Sequence, residues 1–94
     1  MPKKATSAKA AALDIEAQSI PARRMIREAM RAAKRALTID ALFAQLRKLD
    51  PTLSPDAIKA AHVWNFKQGH INFEHDAELQ TDLWSLTTRG RKAS

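Results

Sequence analysis

Three histidines, His62, His70 and His75, with Glu74 and Asp76 beside two of them, are the side chains best suited to hold a metal or move a proton. Their spacing argues against a metal. His70 and His75 are five residues apart, on opposite faces of any single strand, and no established zinc-ligand pattern occurs. Cysteine is absent, which excludes disulfides, thiolate zinc sites and cysteine nucleophiles. With two glycines in the whole chain there is no glycine-rich phosphate cradle, and the serines, histidines and aspartates form no recognisable triad or nucleophile elbow. The expectation is a protein that is not an enzyme and that carries no metal and no cofactor. His62 is expected to be a partly buried residue with its hydrogen bonds met.

Charge offers more. Sixteen Lys and Arg against ten Asp and Glu give +6 and a pI of about 10.2, which favours a polyanionic partner. The cations gather at the two ends and on one segment between them: Lys3, Lys4 and Lys9, then Arg23, Arg24, Arg27, Arg31, Lys34 and Arg35, then Arg89, Arg91 and Lys92. Residues 69–84 are the opposite, with Glu74, Asp76, Glu78 and Asp82 and no Lys or Arg. No apolar run approaches the roughly 18 residues that would span a bilayer. The N-terminal stretch turns acidic before a signal-peptide core develops, so a cytoplasmic protein with no membrane partner is expected.

Ninety-four residues suffice for one domain with a modest core. Residues 1–18 read as a flexible basic arm, 19–88 as the folded domain and 89–94 as a basic tail. Ser19 is placed to cap a first helix, with Pro21 in its first turn and an apolar stripe of Ala22, Met25, Ile26, Ala29, Met30, Ala33, Ala36 and Leu37. Thr38 caps a second helix whose stripe is Ile39, Leu42, Phe43, Leu46 and Leu49. The third start is the best marked: Ser54 as N-cap, Pro55 at the first helical position, Asp56 in the first turn, Leu53 set to staple against Ile58, and Gly69 as the stop. On this helix Ile58, Ala61, His62, Asn65 and Phe66 fall on one arc, while Asp56, Lys59, Ala60, Trp64 and Lys67 fall on the other. Val63 and Trp64 cannot both join the inner arc, so one of them faces outward. After Gly69 the period shortens to two, with Ile71 and Phe73 leading into a loop over residues 75–78 and a return strand at Leu83–Leu86, a β-hairpin.

The fold class is therefore mainly α with a small β-hairpin. Three helices followed by a hairpin resemble the winged helix-turn-helix fold. Ile58–His62 leading to Gly69-His70-Ile71 looks like that family's recognition helix, and Leu86-Thr87-Thr88-Arg89-Gly90-Arg91 is similar to the L-T-x-x-G-R that follows the second wing strand in MarR- and PadR-like regulators. The resemblance implies a third helix that enters the major groove of double-stranded DNA. Lys59 and Lys67 would then meet phosphates, and Asn65 and Gln68 would offer base-edge donors and acceptors. Phosphate contacts are also expected from Arg23, Arg24, Arg27, Arg31, Lys34, Arg89 and Arg91. The hairpin is acidic and would repel phosphates. Expected partners are thus double-stranded DNA, a second copy in a homodimer, and a protein docked on the acidic wing. A transcriptional regulator or DNA-organising factor is the leading function, and a protein-interaction module the alternative.

Overall fold

Alanine-rich sequence without glycine holds a helix with little loss of side-chain entropy, and the N-terminal third of the chain does so over a longer span than its capping signals indicate. The computed structural model describes residues 3–93, with side chains from Ile15 to Ala93. Helix α1 spans Lys3–Ala33. It does not begin at Ser19; that residue lies within the helix, its hydroxyl donating to the Glu16 carbonyl at 2.7 Å. Pro21 is likewise interior rather than in a first turn. It has no N–H for the Ala17 carbonyl one turn earlier, so the helical ladder lacks one bond there. The boundary expected at residue 18 thus falls inside α1. The side chains of Lys3, Lys4 and Lys9 lie outside the described residues.

At the end of α1, Lys34 takes a left-handed conformation, φ 54°, with its N–H on the Met30 carbonyl at 3.3 Å. This is the stop that glycine usually provides. The turn redirects Leu37 away from the helical stripe in which its spacing had placed it. Leu37 forms an antiparallel bridge with Trp84 instead, each N–H donating to the other's carbonyl at 2.8 Å. A single residue thereby acts as a third strand on the hairpin.

Helix α2, Ile39–Leu49, is capped as expected by Thr38, whose Oγ1 accepts the Ala41 N–H at 3.2 Å. Leu42 and Leu46 are buried; Leu49, the last residue of the stripe, is 61% exposed. The Asp50 carboxylate accepts the Thr52 N–H and hydroxyl at 3.0 and 2.6 Å, which shapes the connection to α3, Pro55–Lys67. There Ser54 accepts the Ala57 N–H at 3.1 Å, Leu53 is buried, and Gly69 turns the chain at φ +75°. Strands β1, Ile71–Asp76, and β2, Thr81–Leu86, pair antiparallel from Ile71 opposite Leu86 to Asp76 opposite Thr81. The hairpin is longer than the sequence reading had it, because His75 and Asp76 pair rather than loop. Residues 89–92, expected as part of a basic tail, instead belong to a short helix α4, Thr88–Lys92, whose cap Thr87 accepts the Gly90 N–H at 3.0 Å.

The core gathers Ala22, Ile26, Ala29 and Met30 of α1, Leu42 and Leu46 of α2, Ile58 and Ala61 of α3, Ile71 of β1, and from the connections Leu37 before α2 and Leu53 before α3. Each large aliphatic among these contributes about 1.5–3 kcal/mol by burial. The most extensive helix contact is α1 against α3. The result is a mainly helical domain with a small antiparallel hairpin, an architecture compatible with a winged helix-turn-helix and not diagnostic of one.

Candidate functional site

The outer face of α3 is set by which of its residues the core claims. Ala57, Ile58, Ala61, His62 and Asn65 are buried, so Asp56, Lys59, Ala60, Val63 and Lys67 form one exposed stripe at helical spacing, with Gln68 exposed just past its end. Of the pair Val63 and Trp64, Val63 is the one left open, at 42% exposure. Trp64 is half-buried beneath α1, with the Arg23 guanidinium carbon 4.4 Å from its ring centroid. A cation over indole at this range adds about 0.5–2 kcal/mol. The stack brings a basic residue of α1 onto the surface of α3. Arg23 and Lys67 line one shared groove of about 370 Å³, floored by Val63 and Trp64, with Glu16 at its edge.

Two residues expected at a DNA surface are turned inward. Asn65 is fully buried and all its hydrogen-bonding positions are used. Its Oδ1 accepts from Arg27 Nη1 at 2.9 Å and lies 3.3 Å from His70 Nδ1, while Nδ2 donates to the Arg23 and Ala61 carbonyls at 3.0 Å each. Arg27 is 6% exposed and also donates to the Arg23 carbonyl at 3.2 Å. Neither can meet a nucleic acid without unfolding this junction, so both are corrected from contact residues to a clasp joining α1, α3 and the start of β1. Burial lowers the Arg27 pKa, with repulsion from Arg31 and Arg24 adding to it and Glu28 opposing. His70 is also pushed down, by burial first and then by Arg27 and Arg89. Because Asn65 Oδ1 can only accept, His70 donates to it from a protonated Nδ1, which among the neutral tautomers is the Nδ1–H form.

The remaining cations divide between surfaces. Arg24 is exposed and pairs with Glu28 at 3.1 Å, an open i,i+4 contact worth at most about 0.5 kcal/mol. Arg89 passes beside Gly69, its Cδ 3.8 Å from the place a Cβ would occupy there. Arg31 Nη2 donates to the Ala93, Gly90 and Arg91 carbonyls at 2.5, 3.3 and 3.3 Å, and so holds the C-terminal end of α4 rather than standing free for phosphate. Lys34, Arg35 and Arg91 rim a separate cleft of about 550 Å³ with Met30 and Leu86 at its floor.

On the hairpin, Phe73 and Trp84 are cross-strand partners, and with Phe66 they form a ring cluster at centroid distances of 4.8 to 5.9 Å. Phe66, expected inside, is 43% exposed because it packs sideways onto the hairpin; Phe73 is 41% exposed. His75 Nδ1 lies 3.0 Å from Asp82 Oδ1 in the open. Among the described residues no group of three His, Cys, Asp or Glu side chains could hold a metal ion, and no helix is long and apolar enough to cross a membrane.

His62 differs from expectation. It is 4% exposed, stands edge-on to the Trp84 ring at 4.1 Å, and neither ring nitrogen has a hydrogen-bond partner. Burial lowers its pKa below the ordinary 6.5. The unfolded chain therefore takes up the proton first, so stability is complete above about pH 6.5 and declines as pH falls through that value toward the folded-state pKa. The urea midpoint is expected to drop between pH 7.5 and pH 5.5, and His62→Phe to flatten part of that drop, His70 supplying the rest. Equal slopes in the two proteins would show that His62 titrates freely when folded.

Comparison of the chain with protein-family models, curated proteins and solved structures finds no match in any of the three.

Proposed function

We propose that this chain is a winged-helix domain that binds double-stranded DNA in the cytoplasm, as a regulator of transcription or a DNA-organising factor and not as an enzyme. The observation that carries the reading is the Arg23–Trp64 stack, which joins the basic face of α1 to the exposed stripe of α3. Lys59 and Lys67 flank Ala60 on that stripe, so two cations can reach phosphates while a small residue permits close approach. Gln68 is the polar reader left at the end of α3 once Asn65 is assigned to the core, and Arg89 lies beside the same end. The Leu37 bridge to Trp84 supports the fold assignment, since it sets a one-residue strand between the first two helices and ties β2 of the hairpin to it.

Anisotropy of a labelled duplex of about 20 base pairs tests it. With three to five phosphate contacts, log K should fall against log salt with a slope of about −2.7 to −4.5. The combined Arg23→Glu and Lys67→Glu variant should bind at least about tenfold more weakly. No binding to any duplex at 50 mM salt, or binding indifferent to both reversals, would end the proposal.

A second reading concerns the hairpin, which is unsuited to phosphate. Its four acids, the exposed ring of Phe73 on β1 and the exposed ring of Phe66 that α3 packs against it suit this face to docking a protein.

A further inference from the structure

The tip of the hairpin is an ordered knob. Asp76 Oδ1 accepts the N–H groups of Glu78 and Leu79 at 2.9 and 3.0 Å, and Gln80 closes the loop in a left-handed conformation at φ 52°. This holds Leu79 outward at 61% exposure, the largest value among the exposed large hydrophobic residues together with Leu49. Asp76, Glu78 and Asp82 all lie within three residues of it, Asp82 already against His75 at 3.0 Å, and residues 69–84 contain no Lys or Arg. A loop whose backbone is held by such bonds loses little conformational freedom when the apolar side chain it presents docks.

The complementary surface exists on the same chain. The cleft of about 550 Å³ between the end of α1 and β2 has Met30, Ala36 and Leu86 as apolar lining, and its charged rim, Lys34, Arg35 and Arg91, is entirely basic. Arg31 also borders it, already committed to the α4 carbonyls. An exposed leucine flanked by carboxylates and an apolar hollow ringed by cations match in chemistry and in sign.

The two cannot meet within one molecule. The cleft borders Ser85 and Leu86, at the base of β2, whereas Leu79 lies beyond Thr81 at its other end, and five strand steps separate these by about 17 Å. We infer that the hairpin tip of one copy docks in the α1–β2 cleft of a second copy, with Leu79 on the apolar floor and Glu78 and Asp82 against Arg35 and Arg91. This rests on reading the hairpin as a docking element, and names its occupant. The contact is heterologous, because tip and cleft are different surfaces.

Sedimentation of the full chain without nucleic acid tests it. The wild type should self-associate at 50 mM salt and weaken markedly at 500 mM. A tip variant, Glu78→Lys with Leu79→Ser, and a cleft variant, Arg35→Glu with Arg91→Glu, should each raise the dissociation constant at least about tenfold. Both pairs are exposed and outside the core, and unchanged circular dichroism checks that they fold. Mixing the two variants should restore a 1:1 complex, since each keeps the surface the other lacks. A monomeric wild type, a mixture that stays monomeric, or a cleft variant that loses duplex binding with its association intact would each overturn the inference. A monomer whose hairpin still binds a Lys- and Arg-rich amphipathic peptide would overturn the second copy as occupant and leave the docking reading standing, whereas failure to bind either would remove both.

Discussion

Asn65→Leu is expected to destabilise the protein by about 3 kcal/mol, read as a lower urea midpoint with little change in slope. The side chain is of similar size, so the loss is not one of volume. It removes the acceptor that Arg27 Nη1 reaches at 2.9 Å inside a junction where the arginine is 6% exposed. The guanidinium cannot shed its charge at ordinary pH, so it must stay buried with one donor unmet or drag α1 away from α3. The Arg23 carbonyl loses a donor as well. Pairing the change with Arg27→Met decides whether this is the cause: two apolar side chains in place of a buried polar pair often come close to neutral, so the double variant should be more stable than the two single losses added together. Strict additivity would mean that Asn65 acts by its other bonds alone. Asn65→Asp should fall between, retaining the contact with Arg27 while giving up the two amide donations.

That junction also shows where sequence reading succeeds and where it stops. Helical spacing placed Asn65 on the inner arc, beside Ile58 and Ala61, and the structure agrees; only the assumption that a polar side chain near a recognition helix must face outward put it at a DNA surface. A buried asparagine becomes legible once its partner is known, and Arg27 lies 38 residues away. The starts of α2 and α3 were legible because Thr38 and Ser54 satisfy their own helices' N–H groups locally. The start of α1 was not, since Ser19 and Pro21 imitate a cap within a run whose helix propensity carries on through them. The Leu37 strand is invisible for a different reason: one residue has no period, and its pairing depends on Trp84 arriving from the far side of the fold. The surface shared by Arg23 and Lys67 was likewise hidden, as two helices each amphipathic on their own do not reveal how they are rotated against one another.

Gly90→Ala is the second change with a large expected effect, because space and not conformation is at issue. A Cβ at this position would stand 1.9 Å from the His70 carbonyl oxygen and 2.7 Å from its carbon, both backbone atoms with no rotamer by which to give way. Around that contact the chain is tied three times: the Thr87 N–H donates to the same His70 carbonyl at 3.0 Å, the Thr87 hydroxyl to the Gly69 carbonyl at 2.5 Å, and Arg31 to the carbonyls that end α4. The Thr87 and Gly90 of the Leu86–Arg91 motif thus have a physical role here, capping α4 and letting it lie flat on the turn between α3 and β1. If the ties hold, the overpacking should lower stability by about 3 kcal/mol. If α4 gives way first, the global loss is smaller and the change appears locally, as faster trypsin cleavage at Arg89 and Arg91 and lost protection of the Arg91 amide that now bonds to Thr87 at 3.0 Å. Either result ties Gly90 to docking of α4, and a variant that matches the wild type in both stability and cleavage would show that the close approach is not maintained in solution. Local release has a consequence for binding too: Arg89 would leave its place beside Gly69, so a released α4 should weaken duplex affinity while the Arg23–Trp64 stack remains intact.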